Sequence, residues 1–185
     1  MIIISPLETV SDVVREHPDA FVCGLLGPGM AHPDLPVAAP RRLRLTFHDV
    51  REDHGGGMVP PEMRHVRELI AFVARWRDTA ERPPLIVHCW AGISRSPAAA
   101  FIAACMLHPR REEAHLAAEL RALAPDVTPN IRMVRLADAL LGRAGRMEAA
   151  VLAIGRGAET SWGRVRRWKC GSRAQPPMRP WAKSQ

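Results

Sequence analysis

Leu85-Ile86-Val87-His88-Cys89-Trp90-Ala91-Gly92-Ile93-Ser94-Arg95-Ser96-Pro97-Ala98-Ala99-Ala100 is the stretch on which the fold turns. A short apolar run enters it, and an alanine-rich run carrying Phe101 and Ile102 leaves it. The first reads as a buried strand and the second as a helix, with a tight loop between Cys89 and Arg95. The small residues Ala91, Gly92 and Ser94 let the backbone of that loop approach a ligand closely.

Working outward, other segments read the same way. Ala20 to Leu26 is a buried strand ended by Gly27-Pro28-Gly29, and residues 28–40 are a proline-rich loop. Arg42 to Phe47 alternates polar with apolar, as a half-buried strand does. Val66, Leu69, Ile70, Val73 and Trp76 share one helical face after Pro60-Pro61. Helices are expected at about 111–123, 129–141 and 145–154, with Thr128 as N-cap of the second and Gly142 as its stop. Ser5-Pro6-Leu7-Glu8 has the form of a capping box, which predicts a helix to about His17. Strands alternating with helices give an α/β class: a mostly parallel central sheet flanked by helices.

The chain of 185 residues suits one domain, expected over 1–155, and a tail over 156–185. The net charge of +7 is confined to that tail, where eight basic residues face one acid, Glu159. Three of the five tryptophans, Trp162, Trp168 and Trp181, also fall there, without helical or alternating pattern. The tail therefore reads as a solvated, disordered extension. Binding of nucleic acid or an anionic membrane by it is the lesser reading. No apolar run approaches the ~20 residues that a membrane helix needs, and Met1-Ile2-Ile3-Ile4 is too short for a leader core. The four cysteines show no metal-ligand pairing, and Cys23 and Cys105 sit in apolar runs as small hydrophobes. A reducing compartment, the cytoplasm, is expected.

The loop's chemistry follows from its parts. A free thiol has a pKa of about 8.5, and a helix N-terminus or nearby cation lowers it to ~3.5–7.5. Cys89 is expected to meet both, the helix dipole and the Arg95 guanidinium. The fork of Arg95 matches two phosphate oxygens, and the amides from Trp90 through Ala91, Gly92, Ile93 and Ser94 to Arg95 can form a nest around the rest. His88 is placed to orient the loop by hydrogen bonds rather than to act as a base. Ser96 can donate to the sulfur, and a helix-start hydroxyl can do so while also satisfying backbone groups. The arrangement suits a thiolate that attacks phosphorus while the loop holds the phosphate oxygens.

H-C-x-A-G-x-S-R-S, read from His88 to Ser96, resembles the signature of cysteine-dependent protein phosphatases in its dual-specificity form. It is also similar to compact bacterial members of the tyrosine-phosphatase superfamily. The resemblance extends over roughly 1–155. It implies a tyrosine/dual-specificity phosphatase-like fold and a two-step route through a cysteinyl phosphate, with no cofactor and no metal. It implies a phosphorylated protein or peptide as substrate.

It also implies an aspartate upstream that protonates the leaving group. Asp49, directly after the strand 43–48, is the first candidate, and Asp53 in the same glycine-rich loop is its competitor. Asn130 matches an asparagine that braces the cysteine loop in this family, though a helix-start polar residue reads as well there. His48-Asp49 could belong instead to an HD-type metal site, but His65 and His115 lack acidic partners in sequence. There is no Trp-Pro-Asp motif and no tyrosine-bearing recognition loop, which favours a shallow cleft. Trp90 could stack on an aryl group or pack on the scaffold. Two rival classes use a similar loop: a rhodanese-like sulfur carrier and a phospho-binding module without turnover.

Overall fold

Leu85–Cys89 is the centre of the sheet because both of its faces are apolar and both of its edges are taken. The computed structural model describes residues 1–52 and 56–170. Its strands are β1 (Ile2–Pro6), β2 (Phe21–Leu26), β3 (Arg42–Thr46), β4 (Leu85–Cys89) and β5 (Arg166–Trp168). They lie in the order β3-β2-β4-β1-β5. The first four are parallel and β5 runs antiparallel to β1, so the sheet is mostly parallel, as expected.

The helices are α1 (Val10–Glu16), α2 (Met63–Arg77), α3 (Arg95–Leu107), α4 (Glu113–Leu123), α5 (Ile131–Leu140) and α6 (Arg146–Ala153). Strand alternation divides the core in two. Leu85, Val87 and Cys89 face one side with Leu25, Phe72 and the apolar side of α3. Ile86 faces the other with Ile3, Val22, Val13 and Val14 of the first helix region. Every residue of α3 from Arg95 to Met106 is buried. Its alanines allow this: small side chains let the sheet and several helices crowd one axis.

Three expectations are corrected. The apolar start, to which the sequence reading assigns no element, is strand β1; it runs through Ser5 and Pro6, where a capping box is expected, with all five residues buried. Ser5 caps nothing; its hydroxyl lies against Pro6 O at 2.9 Å and Thr9 Oγ1 at 3.0 Å, and the α-helix begins only at Val10. Thr128 does not cap α5 either, because Asn130 does, accepting from the Met133 amide at 3.0 Å. Finally, the fold does not end at residue 155. β5 pairs with β1 through Ile2↔Trp168, and the Trp168 ring is 4% exposed. Arg166 meets Asp126 at 3.0 Å. Burial of an indole outweighs the charge that made this segment look solvated.

Candidate active site

The turn from β4 into α3 carries the site. Gly92 holds φ = +76°, and a Cβ there would lie 3.0 Å from the Pro6 nitrogen, so both the turn and the packing require glycine. Around it, four loop carbonyls are taken by donors from other parts of the chain. Leu7 N donates to Trp90 O at 3.0 Å and Gly163 N to Ala91 O at 2.8 Å. Thr128 N donates to Ile93 O at 2.8 Å, and Asn130 N to Ser94 O at 3.2 Å. In a planar trans peptide the carbonyl and the following N–H point in opposite directions, and no peptide here is cis. Carbonyls held outward therefore turn the amides of Ala91, Gly92, Ser94 and Arg95 toward the loop's interior. One of these is seen directly: Gly92 N donates to Cys89 Sγ at 3.3 Å.

Cys89 sits at the base of that concavity, 2% exposed, with its Sγ 3.2 Å from Ser96 Oγ. Arg95 is 6% exposed. Its Nη1 donates to Phe47 O at 2.9 Å, while its Nε has no hydrogen-bond partner among the described residues. A charged donor left so is costly, on the order of 1–3 kcal/mol or more. An anion in the loop would satisfy it.

Asp49 follows β3 and reaches the same place. Its Oδ1 accepts from Ser94 Oγ at 2.8 Å and from Asn130 Nδ2 at 2.7 Å, leaving Oδ2 3.9 Å from Arg95 Nε. Asn130 Nδ2 also donates to Val50 O at 3.2 Å. The helix-start reading of Asn130 is seen in its oxygen, which caps α5; its side-chain nitrogen holds the Asp49 loop, and it meets the cysteine loop only through its backbone N on Ser94 O. Asp53, the competing acid, lies outside the described residues.

His88 is the exception. Alternation along β4 sends its ring to the side of the sheet opposite Cys89. There its Nε2 would lie 2.6 Å from a Cβ at Gly24, with His32 Nδ1 2.9 Å from the same point. Its Nδ1 has no partner among the described residues, so the expected orienting bond to the loop is corrected. Burial, with His32 as a second cause, pushes the His88 pKa down to about 3. The HD-type reading also loses its histidines. His48 Nδ1 accepts from the Val59 amide at 2.8 Å, and His65 Nδ1 from the Glu62 amide at 3.0 Å.

A cleft of about 390 Å³ opens above the loop, lined by Gly27, Pro28, Met30, His48, Asp49, Trp90 and Arg95. That is room for an aromatic ring and its substituent. Gly27, Pro28 and Met30 were legible only as a strand terminator and the loop after it. Ala91, Ile93 and Ser94 are half-buried, and Trp90 stands 48% exposed at the rim.

The sequence model of the family described as "Protein-tyrosine phosphatase" matches residues 52–135. No curated protein matches the sequence. Among solved structures, human DUSP28 superposes with a TM-score of 0.53 at 17% identity, over 77% of this chain and 94% of that one. Cydia pomonella PTP-2 phosphatase gives 0.55 at 15% identity, over 75% and 84%. A mouse putative dual specificity phosphatase complexed with zinc tungstate gives 0.55 at 18% identity, over 80% and 86%. At these identities the likeness is one of fold.

Proposed function

We propose that the chain is a cysteine-dependent phosphatase of the protein-tyrosine phosphatase superfamily, whose family model matches residues 52–135, and that it hydrolyses phosphomonoesters on proteins or peptides through Cys89. The observation that carries this reading is the convergence of one thiol, four inward amides and the unsatisfied Nε of Arg95 on a single anion-sized concavity.

Cys89 Sγ attacks phosphorus in line, and the P–O bond to the substrate breaks as the S–P bond forms. The loop amides and Arg95 hold the equatorial oxygens in both steps. Asp49 delivers a proton to the departing oxygen. Its Oδ1 is engaged by Ser94 and Asn130, so Oδ2 is the oxygen free to do this. Water then attacks phosphorus and passes a proton to the Asp49 carboxylate. The S–P bond breaks, inorganic phosphate leaves, and Ser96 Oγ, 3.2 Å away, donates to the returning thiolate. A cytoplasmic setting fits this chemistry, since it depends on a reduced Cys89, and all four cysteines are free. No helix among the described residues is long and apolar enough to cross a membrane.

The test is turnover of a phosphotyrosine peptide by wild type and by Cys89→Ser, with thiosulfate as a parallel substrate. Phosphatase turnover that Cys89→Ser abolishes while the peptide still binds is the expected result. Equal turnover by the serine variant, or thiosulfate as the better substrate, would overturn the reading.

A further inference from the structure

The segment after α6 returns to the catalytic loop before it joins the sheet. Ala158 N donates to Pro125 O at 2.9 Å and Gly157 N to Thr128 Oγ1 at 3.0 Å. Thr160 Oγ1 then donates to Trp162 O at 2.9 Å and accepts from Trp162 N at 3.2 Å, closing a tight turn. At its tip Gly163 N reaches Ala91 O. A Cβ at Gly163 would lie 2.8 Å from that oxygen, so no larger residue fits the approach. Downstream, β5 anchors the far end.

This turn puts Trp162 against Trp90. Their ring centroids are 5.5 Å apart with an interplanar angle of 79°, an edge-to-face pair. Trp162 Nε1 is buried without a hydrogen-bond partner among the described residues. Trp90 is held at its backbone by Leu7 and at its ring by Trp162, yet 48% of it remains open. It lines the same cleft as Asp49 and Arg95.

Resting on the phosphatase reading above, we infer that Trp162, by fixing Trp90 as an aromatic wall, selects aryl phosphomonoesters, phosphotyrosine in peptides, over alkyl ones. A phosphotyrosine ring in the cleft meets that wall. The single methylene of phosphoserine has no comparable surface to offer it. Trp90 touches the substrate; Trp162 is a positioning residue.

Two peptides of one sequence, carrying phosphotyrosine or phosphoserine at the same place, provide the test. Wild type is expected to prefer phosphotyrosine. Trp162→Ala should lower kcat/KM on that peptide about three- to tenfold through KM, the range set by one aromatic contact. On phosphoserine it should change by less than about twofold, since the lost contact is to the ring alone. Trp162→Phe should restore the preference. Trp90→Ala should reproduce the selective loss, and it keeps the test alive where Trp162→Ala fails to fold. The double variant should add little to either single change, as coupled neighbours do. Equal losses on both peptides would make the turn a support of the loop and nothing more, overturning the inference; so would no change on either. A wild-type protein inert toward both peptides, and indistinguishable from Cys89→Ser, would fail the phosphatase reading itself.

Discussion

Trp168→Ala is the sharpest check on where this domain ends. The indole fills the seam between the outer edge of β1 and α4, opposite Ile2, and its Nε1 donates to Glu119 Oε2 at 3.4 Å. Only 4% of the residue is exposed. Truncating a buried tryptophan to alanine costs about 3–5 kcal/mol, and the long hydrogen bond adds little to that. In a protein of this size 1 kcal/mol shifts Tm by about 2–4 °C, so a fall of roughly 6–20 °C is expected. Urea unfolding followed by far-UV circular dichroism, with matching calorimetry, measures both quantities. Loss of Trp168 also loosens the anchor of the turn that holds Ala91 O. Phosphatase activity should therefore fall at temperatures where the variant is still folded. A change below 1 kcal/mol with full activity would refute the reasoning. It would mean that residues after 155 lie on the domain without supporting it.

The remaining predictions concern the site. Asp49→Ala should lower kcat by about a hundredfold or more, within the range for general acids, and Asp53→Ala by only a few-fold. The opposite order in single-turnover rates would reverse the assignment. Asn130→Asp keeps the cap on α5 but replaces a donor with a second carboxylate beside Asp49, so turnover should fall while stability changes little. Asn130→Ala should lose turnover together with about 1 kcal/mol of stability. His88 stays neutral in the fold, held down to about 3 from the ordinary 6.5. The unfolded chain therefore binds one more proton between those values. This contribution is complete above pH 6.5 and is lost as pH falls, at about 1.4 kcal/mol per pH unit. By pH 5 the wild type should have lost about 2 kcal/mol more than His88→Asn, read from urea midpoints. Parallel losses would remove His88 from the account.

What the sequence could and could not convey divides along physical lines. The strand, loop and helix from Leu85 to Met106 were legible because apolar runs and glycine bracket a thiol and a guanidinium at fixed spacing. α2 was legible because its buried residues recur at helical period. Asp49 was singled out by the family resemblance, which implies an acid directly after a strand, and not by any local signal of its own. Strand β1 was missed because a strand buried on both faces has no alternation, and Ile2-Ile3-Ile4 is too short to argue for itself. β5 was missed because charge was weighed above aromatics, although Trp162 and Trp168 already sat badly with a disordered reading. His88 was misplaced by neglecting alternation: a residue next to the nucleophile in a strand must point away from it. The paired Asn130 and Asp49 side chains, 81 positions apart, have no local signal at all.

The four donors that shape the catalytic loop come from residues 7, 128, 130 and 163. They are spread across most of the chain, on both sides of the nucleophile in sequence. A nascent polypeptide emerging from a ribosome carries Cys89 and Arg95 long before it carries the last of these donors. Until Gly163 is free of the exit tunnel, the Ala91 carbonyl has nothing to turn it outward. The loop therefore takes its full shape only after about seventy further residues beyond Arg95 have been added, so its geometry depends on a segment far downstream of the nucleophile.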